Sequence, residues 1–399
     1  MTTPDDPRWN ALLARWAEGA AERERDRTLL FDAVDDLRAV RFGATRLPAS
    51  AGGEGLSLPE LFGRVIRLAT ADANLAHVWR GHIAFVEGLL LDGLDTDAAA
   101  RWVPRIATGA MVGNAFSERQ ETAELQTRLL RRGDRVLLEG TKHYTTGSLY
   151  ADWIHVAALD DDIRVSLAVP AHAPGVRLID DWDGIGQPLT GSGTTVFDAV
   201  EVDPAEIDGR DRESIGRWRY LGAVYRLTLL AVIAGIAQRA VDDTVAFVRP
   251  RRRTFGFAGE TLPREDPLVQ HVVGEVSAAA STARRVVLSL AADLDAARDA
   301  AAGGDPEPLA DVELEVYRAQ HTVPALILDA TTTLFEVGGA SAVARTAGLD
   351  RHWRNVRTIA SHNPVAQRIR AVGRYDLLGE RPTWQAPAAP TAIPAEARA

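Results

Sequence analysis

The run Arg351-His352-Trp353-Arg354-Asn355-Val356-Arg357-Thr358-Ile359-Ala360-Ser361-His362-Asn363-Pro364-Val365 holds the groups in this chain best placed to do chemistry. It reads as an arginine-rich helix. His362 follows the helix, and Asn363-Pro364 breaks it, which leaves the imidazole at a boundary rather than in a packed turn. Histidine can donate or withdraw a proton near neutral pH. His82, in an earlier helical stretch, is either a second such group or a plain packed histidine. Arg252-Arg253-Thr254-Phe255-Gly256 offers guanidinium groups suited to phosphate, or else forms a solvated basic loop. Gly338-Gly339 would let backbone N–H groups approach an anion, or would end a helix. Tyr144-Thr145-Thr146-Gly147 sets hydroxyls beside a glycine that permits close backbone approach, yet it is also a run of ordinary β-formers. Asn114 to Glu118 either presents polar groups at a strand end or is simply a turn.

Composition narrows the chemistry. The 399 residues are 46% hydrophobic and 25% charged, as in a soluble globular protein, with room for one large or two to three ordinary domains. A formal net charge of −10 argues against a nucleic-acid partner. There is no cysteine, so thiolate catalysis, disulfides and cysteine-based metal sites are excluded, and no metal site is expected. No apolar run reaches the roughly 20 residues of a membrane span, and no signal peptide is evident, so a cytoplasmic location without membrane contact is expected. No G-x-G-x-x-G follows a strand and no Walker A sequence occurs, so Rossmann or P-loop nucleotide binding is not expected.

These residues need a scaffold. Residues 1–110 read as helices, with Leu12-Leu13, Trp16 and Ala20 at helical spacing and Pro59 in a first helical turn. Residues 111–210 read as strands. One hairpin turns at Gly133-Asp134, a second joins Trp153–Leu159 to Val165–Pro170, and further strands cover Val176–Ile179 and Thr194–Val202. Residues 211–385 return to helices at Tyr225–Val248, Leu268–Ala301, Leu309–Phe335 and Val365–Leu378, a four-helix bundle. Residues 386–399, rich in Ala and Pro, read as a disordered tail. The whole is mainly α with a central β domain.

The layout resembles the acyl-CoA dehydrogenase superfamily, and more narrowly its two-component, flavin-dependent monooxygenase branch. Five segments carry the likeness: Gly113–Glu118, Gly140–Ile154, Asp181–Gln187 with Gly191–Thr194, Arg252–Gly256 and Phe335–Ser341. Their order and spacing count for more than any one of them. The arginine helix of the family is present, while the glutamate that a dehydrogenase carries just beyond it is replaced by His362, Asn363 and Pro364.

The resemblance implies reduced FMN, with FAD as the alternative, and O₂ as cosubstrate. It implies oxygenation of a small organic molecule at sulfur, nitrogen or electron-rich carbon through a flavin C4a-(hydro)peroxide. It places Asn114, Phe116, Ser117, Tyr144, Thr146, Gly147, Trp182 and Ser192 around the flavin. It gives Arg252, Arg253, Phe255, Gly338 and Gly339 to a flavin phosphate, reached from a neighbouring subunit of a homotetramer. Asn114, Thr146, His82 and His362 become the expected catalytic set, with His362 first. Without a nicotinamide fingerprint, a separate NAD(P)H-flavin reductase is implied. The competing reading is an acyl-CoA dehydrogenase or oxidase, whose base would have to come from Glu118, Glu336, Glu380 or another helix.

Overall fold

A computed structural model describes residues 7–119, 125–161, 163–208, 215–253 and 261–382. Seven helices come first: α1 (Pro7–Ala17), α2 (Ala20–Asp26), α3 (Phe31–Ala39), α4 (Leu58–Ala71), α5 (Ala73–Val78), α6 (Arg80–Asp92) and α7 (Asp97–Ala107). The start of α4 is set locally. Ser57 accepts from the Glu60 N–H, the Glu60 carboxylate takes the Ser57 N–H at 2.8 Å, and Pro59 sits in the first turn. Asp72 ends α4 and caps α5 through the Asn74 and Leu75 N–H groups, so the two helices meet at a sharp corner.

The sheet follows: β1 (Val112–Ala115), β2 (Arg128–Arg132), β3 (Arg135–Lys142), β4 (Trp153–Asp160), β5 (Ile163–Pro170), β6 (Val176–Ile179), β7 (Thr194–Val202) and β8 (Ile207–Asp208). Its order is β6-β7-β3-β2-β4-β5-β8, and β1 adds to β4 in parallel. Both expected hairpins form, β2 with β3 and β4 with β5. Alternate residues such as Leu138, Ile154, Val156, Leu167 and Val200 make one apolar core on the sheet.

Five α-helices follow among the described residues: α8 (Ile215–Val248), α9 (Pro267–Ala302), α10 (Glu307–Thr333), α11 (Asp350–Ala360) and α12 (Val365–Leu378). The long helices α8, α9 and α10 pack on one another, and α4 lies against α8 and α9. At that crossing Gly235 faces Ala69 so closely that a Cβ would stand 2.4 Å from the alanine methyl. α11 and α12 both lie on α10, so the fourth rod of the bundle is broken at His362.

Two expectations need correction. α8 begins at Ile215, well before Tyr225, because Arg217 and Arg219 in its first turns line a cleft and hide the apolar period. α8 is also long and apolar enough, by composition, to match a membrane span; it is instead the packed central helix, buried from Leu227 to Ala237.

Candidate active site

A cleft of about 1280 Å³ opens between the sheet and the bundle. That exceeds the roughly 300–1,000 Å³ of an ordinary small-molecule site, and leaves room for a cofactor beside a substrate. α6 gives Arg80, Phe85 and Asp92. The end of β1 gives Asn114, Phe116 and Ser117. The first turns of α8 give Arg217, Tyr225 and Arg226, and the break between α11 and α12 gives His362.

β1 holds Asn114 opposite His155 of β4. Phe85 and Phe116 meet the His155 ring edge-on at 5.1 and 5.0 Å. Burial, then the charge of Arg217, pushes His155 down to about 3, so this ring is a neutral wall. Asn114 is buried and its Oδ1 finds no partner. Such an orphan acceptor in a cleft calls for a ligand donor. Ser117 is held by a backbone bond from the His143 N–H, 2.9 Å. Tyr144 adopts a φ of 59°, unusual for a tyrosine. Its hydroxyl accepts from Arg119 at 2.9 Å, and its ring meets Trp182 edge-on at 6.0 Å.

Thr146 lies one layer deeper. Its hydroxyl is 2.8 Å from the Ser192 hydroxyl, which is 2.7 Å from Thr190, and Thr190 donates to the Gln187 carbonyl. Gly147 (φ 80°) passes the end of α5, where a Cβ would stand 2.4 Å from the Val78 carbonyl oxygen. Thr146, Gly147, Trp182 and Ser192 therefore back the cleft rather than line it.

His362 faces Arg80. The Arg80 Nη1 donates to His362 Nε2 at 3.2 Å, which leaves the ring's own proton on Nδ1. The Arg80 charge, then the crowding of the cleft walls, holds His362 well below its ordinary range, so the ring is neutral at pH 7. Arg80 itself is pushed down to about 10 by burial and remains a cation. It also stands 4.7 Å over the Tyr225 ring. His77, at the end of α5, places Nδ1 2.9 Å from the Gln187 side chain, and its buried Nε2 has no partner. Neither Arg80 nor His77 was picked out from the sequence.

Other expected residues fall elsewhere. His82 is corrected from a catalytic candidate to a core residue. Its Nε2 bonds the Gly43 carbonyl at 3.0 Å, its Nδ1 accepts from the Val112 N–H at 3.1 Å, and burial pushes it down to about 4. It does not line the cleft. Arg252 and Arg253 are exposed beyond the end of α8, and Phe255 lies outside the described residues. Gly338 meets that same end, with Gly339 exposed beside it: a Cβ on Gly338 would strike the Phe247 ring, over which Arg251 stacks at 4.6 Å. At 1.5 Å per residue this is about 30 Å along α8 from the cleft of the same chain.

No carboxylate lining the cleft is a free base. Asp92 pairs with Arg217, Glu313 with Arg219 at 3.2 Å, and Glu380 with Arg374. Glu118 is bound by Lys142 at 2.5 Å and Thr127 at 2.7 Å, and Glu336 is exposed at the end of α10.

A family model described as acyl-CoA dehydrogenase, C-terminal domain, matches residues 227–367. A dibenzothiophene monooxygenase of Rhodococcus erythropolis is 28% identical over 385 residues, covering 93% of this chain and 92% of the relative. A probable FMNH2-dependent monooxygenase, SfnC, of Pseudomonas putida is 26% identical, covering 93% and 94%. The FMN-bound structure of TdsC from Paenibacillus sp. A11-2 superposes with a TM-score of 0.86 at 26% identity, over 94% of this chain and 98% of that one. With the fold, the cleft and the replaced glutamate, these likenesses are to the acyl-CoA dehydrogenase superfamily, and within it to flavin-dependent monooxygenases.

Proposed function

We propose that this protein is a reduced-FMN-dependent monooxygenase that oxygenates a small organic molecule at sulfur or nitrogen, in the cleft between sheet and bundle. One observation carries the choice over a thioester dehydrogenase: the cleft holds His362 against Arg80, and each carboxylate lining it is engaged by an arginine. A dehydrogenase needs an unengaged carboxylate to take the α-proton.

The residues fit the cofactor. The unpartnered Asn114 Oδ1, Ser117 and the Tyr144 segment would meet the polar rim of the flavin, with the Thr146–Ser192 hydroxyls behind them. Bound reduced FMN supplies two electrons to O₂, so that one oxygen atom enters the substrate and the other leaves as water. Phe85, Phe116, Tyr225 and the neutral His155 exclude water from this space. Arg80 offers a fixed positive charge to an oxygen that gains negative charge. His362, kept neutral, can hold a proton at Nδ1 while Nε2 stays on Arg80.

Two further features belong to this reading. Arg252, Arg253 and the Gly338-Gly339 turn lie too far from their own cleft, so they serve the cofactor phosphate of a neighbouring subunit in a homotetramer. Electrons come from a separate NAD(P)H-flavin reductase. The test is a pair of assays on the purified protein. With NADH and a flavin reductase it should consume O₂ and oxygenate sulfides or amines; with NADH alone it should do nothing. Dehydrogenation of acyl thioesters by the protein alone would refute the reading.

A further inference from the structure

The protein as a whole carries a formal charge of −10, yet nine arginines line the cleft against three carboxylates. Pairing does not use them all. The three carboxylates take Arg217, Arg219 and Arg374. Arg381 turns to Asp311 and Glu307, which are not part of the cleft wall. Among the described residues, Arg80, Arg226, Arg368 and Arg370 have no carboxylate within ion-pair distance.

Two of these are built into one place. The guanidinium carbons of Arg226 and Arg368 stand 5.1 and 5.0 Å from the centroid of the same ring, Tyr317. That ring is fixed, because its hydroxyl donates to Glu313 at 2.7 Å and Glu313 is held in turn by Arg219. The ring face attracts the cations, and Tyr317 accepts from them only a long bond to its hydroxyl from the Arg368 Nη1, at 3.4 Å. The Nε of Arg226 and the Nε of Arg368 are both buried without a partner. Burial, and the charge of Arg368, depress the Arg226 pKa. Two like charges that repel, each with a buried unmet donor, form a costly arrangement unless an anion joins them. The Arg80 Nε donates to the carbonyl of Tyr225, the residue before Arg226, at 3.2 Å, so this patch adjoins the Arg80–His362 end of the cleft.

We infer that Arg226 and Arg368, on the Tyr317 platform, bind the oxyanion group of the substrate, so that the molecule oxygenated near His362 is an organic anion: a phosphate ester, sulfonate or carboxylate. This rests on the monooxygenase reading for what happens to the substrate, but not for its binding. The same chemistry could be met by the phosphate of FMN, and the experiment separates the two.

Calorimetric titrations of the purified protein would use phenyl phosphate and phenol, in the presence of FMN, and FMN and riboflavin separately. The wild type should bind phenyl phosphate at least about tenfold more tightly than phenol. Arg226→Gln with Arg368→Gln should remove that preference while changing the Kd of FMN and of riboflavin less than about twofold. The charge-retaining pair Arg226→Lys with Arg368→Lys should keep part of it, and serves if the glutamine pair folds poorly. Equal wild-type affinity for phenyl phosphate and phenol would overturn the inference. So would a glutamine or lysine pair that weakens FMN and leaves riboflavin untouched, since the arginines would then hold the cofactor phosphate. Failure to oxygenate sulfides and amines, with phenyl phosphate binding intact, would count against the monooxygenase reading alone.

Discussion

Arg80 sets the charge of His362, and this makes a pH test possible. In the wild type the imidazole is neutral, its pKa held down first by the Arg80 charge. Arg80→Gln removes that repulsion, so the His362 pKa rises toward its ordinary value of about 6.5. The ring then gains a proton as pH falls through that value. Product per O₂ consumed should be flat in the wild type from about pH 8 to about pH 6. In Arg80→Gln it should fall, by up to about fourfold at pH 6. A flat profile in the variant would detach His362 from proton handling. His82 illustrates the opposite case. His82→Ala should strip the Val112 N–H of its acceptor inside the core, at a cost of about 1–3 kcal/mol. The melting temperature should drop while turnover per folded molecule stays unchanged; the reverse pattern would restore His82 to the site. In sequence the two histidines looked alike except for context. His362 was legible because a proline follows it and breaks the helix. Arg80 and His77 were not legible, since a helical period says which face a residue occupies and nothing about the partner that arrives from 282 positions later.

Among the elements, the strands β6 and β7 and the helix α12 have the bounds read from the sequence. Each carries a clean period of its own, and Gly or Pro stands just before its start, at Gly175, Gly193 and Pro364. The start of α8 was hidden because its first turns face a polar cleft. The Tyr144–Gly147 segment was legible as a strand approach with a glycine, but not as a corner. There, three positions carry the local geometry: Tyr144 at φ 59°, Gly147 at φ 80° and the close approach of Val78. Gly147→Ala tests it. A left-handed alanine costs about 1–2 kcal/mol, and the methyl would also press on the Val78 carbonyl oxygen. The variant should melt lower than wild type by more than that backbone term and bind FMN more weakly. Native stability would mean that this glycine is not needed for α5 to meet the sheet.

For the whole molecule, the overall acidity read from composition excludes nucleic acid but hides a cleft lined by arginines, because a sum of charges carries no positions. The fold class was legible from the order helices, strands, helices. The placement of Arg252 and Gly338 was legible only as a pair of phosphate-like motifs; their distance from the cleft appears once α8 is seen as one 34-residue rod. That distance leads to an assembly. Light scattering should give a homotetramer, and Arg252→Ala with Arg253→Ala should weaken FMN binding by about 1.5–3 kcal/mol for each charge-assisted bond lost. A monomer that binds FMN as tightly as the native protein, or an unchanged affinity in the variant, would contradict it.

The central claim is that the cleft transfers an oxygen atom from O₂ with His362 beside the reacting centre, and an isotope experiment meets it directly. Wild type and His362→Ala would be supplied with reduced FMN, ¹⁸O₂ and the best-used member of a sulfide, amine and indole panel. Labelled product and H₂O₂ would be measured together. The wild type should place one labelled atom in the product. The variant should keep its melting temperature and FMN affinity, lose at least about tenfold in labelled product, and release H₂O₂ in its place. Unlabelled product in the wild type, or native yield and coupling in His362→Ala, would contradict the account.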